Sequence, residues 1–394
     1  MGNEASSQNI TYGQRLNNDV SVEWTKIDCD NPFPSRYGHT ACGVGDCLYV
    51  FGGVVCCGDD DDIVESSDLL KFNLESRTWS KADVKGHCPA PRTAATMTAV
   101  ESSTWTEIDS TSGPSPSPRD KVASVAIETK LYIFGGFGPR HSSEEMLGGS
   151  SQGSQEESED DMEDEAGPEA GPDAEFRWFD DLFVYDTEKN QWEKIAFIKM
   201  HSPTPRAAHG MCAVGTNILI FGGRDTQCRR NDLYLLDTES MKWIDVTSTG
   251  RQPEPRSFHT VTSVGNRMIV IGGRSQDNTH FNDFHIFDTV TKEWMQPSLT
   301  GNLPTERGVH TVTVVDKSLV LFGGSSQFND QTMECQQYFS DVHVCKIADI
   351  LSGKSLPTLT EDNIAAQPMK EVPNTSGSVT EMVNGKSNGT EISQ

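Results

Sequence analysis

A group of cationic and aromatic residues breaks the regularities of this chain and could carry chemistry. Arg224 directly follows a Gly-Gly pair, and Arg229 and Arg230 come a few residues later. Lys121 and Trp178 stand where related segments of the chain carry other residue types. A guanidinium group can hold a carboxylate through two parallel hydrogen bonds. These residues therefore favour a site for an anionic ligand.

A second interpretation of the same residues needs no ligand. The loop arginines, including Arg274 after the next Gly-Gly pair, could be neutralised within the chain. Their partners would be Asp225, Asp277 and an acidic insertion at residues 142–175. Both interpretations stay open on the sequence alone.

Catalytic chemistry is not expected. Outside the repeated positions there is no His, Asp or Glu cluster with metal-ligand spacing and no nucleophile–base pair. The acidic run Asp59–Asp62 beside Cys56 and Cys57 does not follow a calcium-loop pattern and is expected to face solvent. The sequence predicts no enzyme, no metal site and no cofactor.

The elements that position these residues follow from a repeat. An apolar run closed by Gly-Gly occurs five times, and the last three copies are about 50 residues apart, a period typical of propellers and solenoids. The pairs end at Gly53, Gly136, Gly223, Gly273 and Gly324. One such repeat forms a small antiparallel sheet that cannot bury its faces alone, so the sheets must pack in a ring. We therefore predict an all-β, six-bladed β-propeller.

Other landmarks give the blade count. An arginine that opens a strand recurs at Arg36, Arg92, Arg119, Arg206, Arg256 and Arg307. A tryptophan expected on the outer strand recurs at Trp24, Trp79, Trp105, Trp192, Trp243 and Trp294. An aspartate that begins a third strand recurs only at Asp68, Asp181, Asp232, Asp283 and Asp341. A residue that repeats with every blade is expected to stabilise that blade, and this includes most of the histidines that follow the arginines.

The second blade is predicted to be incomplete. Only four residues separate Val100 from Trp105, so its two middle strands have no room, either because this is a shortened form or because the ring closes with a reduced blade. Unpaired strand edges favour aggregation, so marginal stability is expected. The first tryptophan precedes any opener and the last repeat has none, so the N-terminal strand should complete the sixth blade and close the ring.

Composition and charge indicate where the domains lie and which partners are excluded. The chain has 394 residues and a net charge of −26, with a pI near 4.7, which argues against nucleic acid as a partner. The propeller is expected over residues 21–350, between a disordered N-terminus (1–20) and a disordered tail (351–394). The insertion 142–175 is too polar to be buried and is expected to be disordered. It could be a solubilising loop, a regulatory segment phosphorylated at Ser154 or Ser158, or an internal occupant of a basic pocket.

Cellular location is predicted from motifs. No signal peptide or transmembrane run is found, so a cytoplasmic, alternatively nuclear, protein with reduced cysteines is expected. The N-terminal sequence fits the myristoylation pattern at Gly2. A single myristoyl chain on an acidic protein gives at most weak membrane association.

The repeats resemble those of kelch propellers, and one subgroup in particular. The segments Arg119-Asp-Lys121, Gly135-Gly-Phe137-Gly, Arg177-Trp178, Gly223-Arg224 with Arg229, and Arg256-Ser257-Phe258-His259 are similar to kelch-domain C-degron receptors. Those proteins bind a free C-terminal carboxylate, often of a Gly-Gly end, for a cullin–RING ubiquitin ligase. The resemblance implies that Lys121, Arg224, Arg229 and Ser257 hold the terminal peptide groups. Phe137, Arg177, Trp178 and Phe258 would surround the peptide.

Two departures from that subgroup affect the prediction. Phe137 and Phe258 stand where the family can have tyrosine and tryptophan, so hydrogen bonds from those rings would be lost. Past Ile347–Leu351 no amphipathic stripe marks the helical box that docks the ligase adaptor. The first hypothesis is a peptide-binding substrate adaptor for ubiquitin ligation. The second is a kelch scaffold in trafficking or transcription that has no C-terminus pocket.

Overall fold

The computed structural model describes residues 20–30, 33–57, 62–98, 104–108, 111–139, 175–197 and 201–352, all within the unit Met1–Ser355. Residues 1–19, 140–174 and 353–394 lie outside the described ranges. They hold Gly2, nearly all of the acidic insertion and nearly all of the two predicted tails. Over the described ranges the fold is almost entirely β, and a single five-residue helix follows the last strand.

The strands are short, as expected for blades of a propeller. The first sixteen are β1 (Ser21–Ile27), β2 (Arg36–Tyr37), β3 (Thr40–Val44), β4 (Cys47–Phe51), β5 (Val54–Cys57), β6 (Asp62–Glu65), β7 (Leu69–Asn73), β8 (Thr78–Lys81), β9 (Lys85–Gly86), β10 (Thr104–Trp105), β11 (Ala123–Ile127), β12 (Lys130–Phe134), β13 (Phe137–Pro139), β14 (Phe176–Trp178), β15 (Leu182–Asp186) and β16 (Gln191–Ile195). The others are β17 (Gly210–Val214), β18 (Asn217–Arg224), β19 (Arg229–Asp237), β20 (Lys242–Asp245), β21 (Thr249–Gly250), β22 (Thr260–Val264), β23 (Arg267–Ile271), β24 (Phe284–Asp288), β25 (Glu293–Met295), β26 (Ser298–Gly301), β27 (Thr311–Val315), β28 (Ser318–Phe322), β29 (Ser325–Asn329), β30 (Glu334–Tyr338) and β31 (Val342–Lys346), followed by α1 (Ile347–Leu351).

Five sheets in the described ranges contain a complete antiparallel blade of four strands. Their strand orders are β3-β4-β7-β8, β11-β12-β15-β16, β17-β18-β19-β20, β22-β23-β24-β25 and β27-β28-β31-β1. The apolar cores lie between neighbouring blades: Phe221 and Leu219 of one blade pack with Phe287, Met268 and Trp294 of the next. The innermost strands of successive blades also contact one another. This packing confirms the all-β kelch propeller.

The N-terminal strand closes the ring, as the sequence predicts. Strand β1 pairs antiparallel with β31, with Thr25 opposite Val344 and Ile27 opposite Val342. Trp24 is buried, and its ring lies 6.2 Å from that of Phe284 in the preceding blade. The outer strand of the last blade is therefore made from the beginning of the chain.

The second blade is reduced, also as predicted. Trp105 lies on β10, which pairs in parallel with β9, and its ring packs 5.3 Å from that of Phe51. Only five residues separate Thr98 from Thr104, too few for a pair of strands. Thr96 instead hydrogen-bonds Ser124 of β11, so this short segment bridges the first and third blades.

The repeated arginines hold their own blades together. Arg206 is fully buried and donates to the Gly222 carbonyl (2.9 Å) and to both carboxylate oxygens of Asp232 (2.6 and 2.9 Å). Arg256 and Arg307 bond the matching glycine carbonyls and aspartates of their blades in the same way. The first glycine of each pair thus supplies a carbonyl acceptor, and the aspartate neutralises the buried cation.

Candidate functional site

One backbone arrangement recurs where each apolar strand ends. The residue after the opener arginine pairs with the residue after Gly-Gly, as in Ala207 with Arg224 and Ser257 with Arg274. We call these paired positions the bridge layer; the other pairs are Tyr37 with Val54, Asp120 with Phe137 and Gly308 with Ser325. The backbone is the same in every pair, but the side chains differ from blade to blade. The bridge layer is therefore where the repeat can carry specificity without disturbing the fold.

A ring of unusual backbone conformations adjoins the bridge layer. The residue two after each opener has a positive φ, including Lys121 (+51°), Phe258 (+58°) and the β-branched Val309 (+56°). Backbone hydrogen bonds link these residues from blade to blade: Phe258 N donates to Ala208 O, and Val309 N donates to Phe258 O, both at 3.0 Å. Positive φ at such residues is strained and concentrates at functional sites. The ring places Lys121 and Phe258 beside the bridge layer.

Arg229 lies at the centre of a polar cluster formed by the fourth and fifth blades. Only 4% of its surface is exposed. Its Nε donates to Ser257 Oγ (2.8 Å), and its Nη2 donates to Asn278 Oδ1 (2.8 Å). Arg224 lies directly opposite Arg229 across the β18–β19 pair. The structure thus brings together Arg224, Arg229 and Ser257, which the sequence predicted as one site.

The two arginines have no carboxylate partner among the described residues. Burial, followed by the charges of Arg274 and Arg224, lowers the pKa of Arg229 to about 9, so the group remains charged at neutral pH. The nearby Asp225 bonds Arg230 at 2.5 Å instead. Burial raises the pKa of Asp225, but hydrogen bonds from Cys228, Gln227 and Arg230 hold it below its usual value.

Asp225 therefore neutralises Arg230, as that interpretation predicts, whereas no carboxylate among the described residues bonds Arg224 or Arg229. The Asp277 carboxylate accepts from Ser275 and Thr279 of its own loop. The acidic insertion lies outside the described residues. Among the described residues, the Arg229 side chain thus has neutral hydrogen-bond partners only, and the side chain of the opposite Arg224 has none.

Arg274 borders this cluster and lies between two aromatic rings. Its guanidinium carbon is 4.0 Å from the ring centre of Phe328 and 5.1 Å from that of Phe258. His280 pairs with Arg274 through the backbone, and burial followed by the charges of Arg274 and Arg229 lowers its pKa to about 4. His280 is therefore neutral at physiological pH and adds no charge.

The third blade contributes an aromatic hairpin. Strands β13 and β14 pair Phe137 with Trp178 and Gly138 with Arg177. The Phe137 ring stacks on Phe176 at 5.6 Å and lies 4.7 Å from Trp178. Arg177 lies over the Phe179 ring. The structure thus brings Phe137, Arg177 and Trp178 together, although on a different blade from the arginine cluster.

Lys121 connects the two groups through the backbone. Its carbonyl accepts from Ala208 N of the fourth blade (2.9 Å), and its ammonium lies 3.5 Å from the carboxylate of Asp120. The contributions of Gln276, Asn278 and Phe328 were not predicted. Gln276 and Asn278 lie in a loop and Phe328 lies in β29, and nothing in the sequence indicates which blade they contact.

The described part of the chain has few features typical of other kinds of site. It contains no group of three or more His, Cys, Asp or Glu side chains arranged to hold a metal ion. No helix in the same ranges is long and apolar enough to span a membrane. Nine described cysteines are free thiols.

Comparison with known proteins agrees with this architecture. The chain matches the KLHDC2/KLHL20/DRC7 Kelch-repeats domain over residues 3–104 and 169–350. It is 28% identical to Kelch domain-containing protein 1 of Homo sapiens, over 74% of this chain and 75% of that protein. It is 26% identical to Kelch domain-containing protein 3 of Bos taurus, over 74% of this chain and 64% of that protein. It is also 26% identical to Acyl-CoA-binding domain-containing protein 4 of Arabidopsis thaliana, over 82% of this chain and 40% of that protein.

The chain thus spans less than two thirds of the length of the second and third of these relatives. The family match covers more than half of the chain, on both sides of an unmatched segment from 105 to 168. That segment contains most of the acidic insertion. Since the repeats, the blades and the match coincide, the chain belongs to the kelch-repeat proteins of the KLHDC2/KLHL20/DRC7 Kelch-repeats group, whose propellers are generally protein-interaction modules.

Proposed function

We propose that this chain is a protein-interaction module whose bridge layer binds the free C-terminal carboxylate of a peptide. The observation that carries the proposal is the pair Arg224 and Arg229 beside Ser257, without a carboxylate partner among the described residues. A buried cation is stabilised when an anion completes its hydrogen bonds.

The donors suit a carboxylate. Arg229 uses one N–H on Ser257, one on Asn278 and one, at 3.4 Å, on the Gln276 carbonyl, and the opposite side chain, Arg224, has no hydrogen bond or ion pair among the described residues. Ser257 is buried, and because its Oγ accepts from Arg229, that bond leaves its own hydroxyl proton unused. Phe258 borders this cluster, and the Phe137–Trp178 hairpin would contact the residues that precede the terminal carboxylate.

Fluorescence polarisation with peptides ending in Gly-Gly tests the proposal, with the free acid compared with the amide. We expect the free acid to bind, and Arg224→Ala to weaken binding roughly 10- to 100-fold, as for the loss of a hydrogen bond to a charged group. Arg251→Ala is the matched control, because Arg251 is an exposed arginine outside the bridge layer. Equal binding of acid and amide by folded protein would refute the proposal and favour the scaffold hypothesis.

We further propose that the bound peptide belongs to a protein destined for ubiquitin ligation, in the cytoplasm or the nucleus. The similarity to C-degron receptors supports this step, whereas the short α1 is all that the described residues offer as a docking helix. Affinity purification of the full chain should recover cullin–RING ligase components. Recovery of peptide-bearing proteins without any ligase component would retain the pocket and reject the ligase role.

A further inference from the structure

A buried cation in a binding site faces two opposing requirements. Arg229 needs a negative charge nearby, because burial without a counter-charge disfavours its charged form. A carboxylate bonded directly to it would occupy the N–H groups that a ligand needs. Among the described residues its direct partners, Ser257, Gln276 and Asn278, are all neutral.

A carboxylate bonds one of these neutral partners instead of Arg229 itself. Asn278 Oδ1 accepts from Arg229 Nη2 (2.8 Å), and Asn278 Nδ2 donates to Asp330 Oδ1 (2.6 Å). The orientation of the amide is fixed by its partners, since arginine only donates and an ionised carboxylate only accepts. The three residues come from three consecutive blades, and Asp330 lies in the exposed turn between β29 and β30.

We propose that Asp330 is a positioning residue for the carboxylate site: through Asn278 it fixes Arg229 and supplies an indirect counter-charge without occupying its donors. This inference rests on the proposed function for its biological meaning, but the positioning itself can be measured without a ligand. The charges of Asp330 and Asp277 both oppose the lowering of the Arg229 pKa. Polarisation along the chain also makes Asn278 Oδ1 a better acceptor.

The effect of Asp330→Ala on peptide affinity has a different sign for a positioning residue and for a nearby negative charge. If Asp330 were only a nearby negative charge, removing it would leave the affinity for an anionic peptide unchanged or raise it. If it positions Arg229, Asp330→Ala should weaken free-acid binding roughly fivefold to tenfold, less than the loss of Arg224, because Asp330 acts on the ligand only through Asn278 and Arg229. Asp330→Asn retains an oxygen acceptor for Asn278 but lacks the counter-charge, so its loss of affinity should be smaller than that of Asp330→Ala.

A double-mutant cycle tests the route through Asn278. Asn278 has a φ of +62°, so Asn278→Gly removes the amide without adding backbone strain. Adding Asp330→Ala to Asn278→Gly should have no further effect on binding, because the two residues act as one unit. Additive losses would overturn the proposed route.

The ligand-free measurement follows the Nε–H proton of Arg229 by NMR with isotope-labelled arginine, assigned by its loss in Arg229→Lys. In the wild type this proton is bonded to Ser257 and should exchange slowly. Asp330→Ala should speed the exchange about tenfold or more, and Asp330→Asn should not. Unchanged exchange in Asp330→Ala would refute the positioning role whatever the peptides show. Failure of all peptides to bind, with exchange altered as expected, would reject the proposed function and keep the positioning role.

Discussion

Acidification is expected to destabilise this propeller well before its carboxylates titrate, because histidines are buried between the blades. Burial, followed by the charge of the neighbouring opener arginine, lowers the pKa of His39, His209 and His259 to about 3. The same causes lower the pKa of His310. In the unfolded chain the pKa of each of these histidines returns to about 6.5. Below that pH the unfolded state binds protons that the folded state does not, so stability falls as the pH falls from 6.5 towards 3.

The size of this loss of stability follows from the lowered pKa values of the histidines. At about pH 5 each of the three histidines with a pKa near 3 favours the unfolded state by roughly 2 kcal/mol relative to neutral pH. Together they remove about 6 kcal/mol, which is comparable with the whole stability of many domains. The depressed pKa values of Asp283 and Asp341 act in a different window, because stability from those groups is lost only as the pH falls below about 3.8.

Urea unfolding, followed by tryptophan fluorescence at several pH values between 7.5 and 5, measures the slope of the free energy of unfolding against pH. Replacement of the exposed His201 by Gln is the control and should leave the slope unchanged. His209→Phe should reduce the slope by about one proton, provided the variant folds at neutral pH. A free energy of unfolding that is constant from pH 7 to pH 5 would refute the assignment of these histidines as neutral and buried.

Three further predictions concern stability at neutral pH. Asp283→Ala should lower the free energy of unfolding by about 3 kcal/mol, since it leaves a buried arginine unpaired. Asp68→Ala breaks an exposed pair and should lower it by less than about 1 kcal/mol. Equal losses in the two variants would contradict the structural role of the opener pairs. Trp24→Ala should cost about 3–5 kcal/mol, and a loss below about 1 kcal/mol would show that β1 does not close the ring. Gly223→Ala should be at least about 3 kcal/mol destabilising, because a Cβ there would lie 2.7 Å from the Cβ of His209 at a φ of +95°. Gly215→Ala, which has a φ of +61° and open space, should cost only about 1 kcal/mol; similar values for both glycines in thermal unfolding would contradict this packing.

The repeated part of the fold was predictable because each landmark has a local cause. The apolar run and the Gly-Gly pair define a buried strand and its sharp exit, and the missing landmarks near Trp105 define the short blade. The place of Trp24 in the last blade followed from counting outer-strand tryptophans. The pairing of Arg206 with Asp232 was not predicted, although both residues were recognised as landmarks, because the spacing between opener and aspartate varies from blade to blade.

The candidate site was predictable only in part. Arg224 and Arg229 stood out as arginines that the repeat does not require after its Gly-Gly pair, whereas Ser257 was predicted only from the resemblance to the C-degron receptors. The contact between Arg229 and Asn278 joins residues 49 positions apart, the first residue of β19 and a loop residue of the next blade. Such contacts depend on how far each loop reaches over its neighbour, and a single sequence contains no pattern that specifies it.

The pairing of β1 with β31 has a consequence for the order of events during biosynthesis. Residues 21–27 are made long before their strand partners, since residues 21–24 pair with residues 298–301 and residues 25–27 pair with residues 342–344. The apolar face of β1, with Val22 and Trp24, must therefore remain unpaired while the other blades form. Closing so long a loop is slow compared with forming local hairpins. The nascent chain is thus expected to expose this strand until the ring can close.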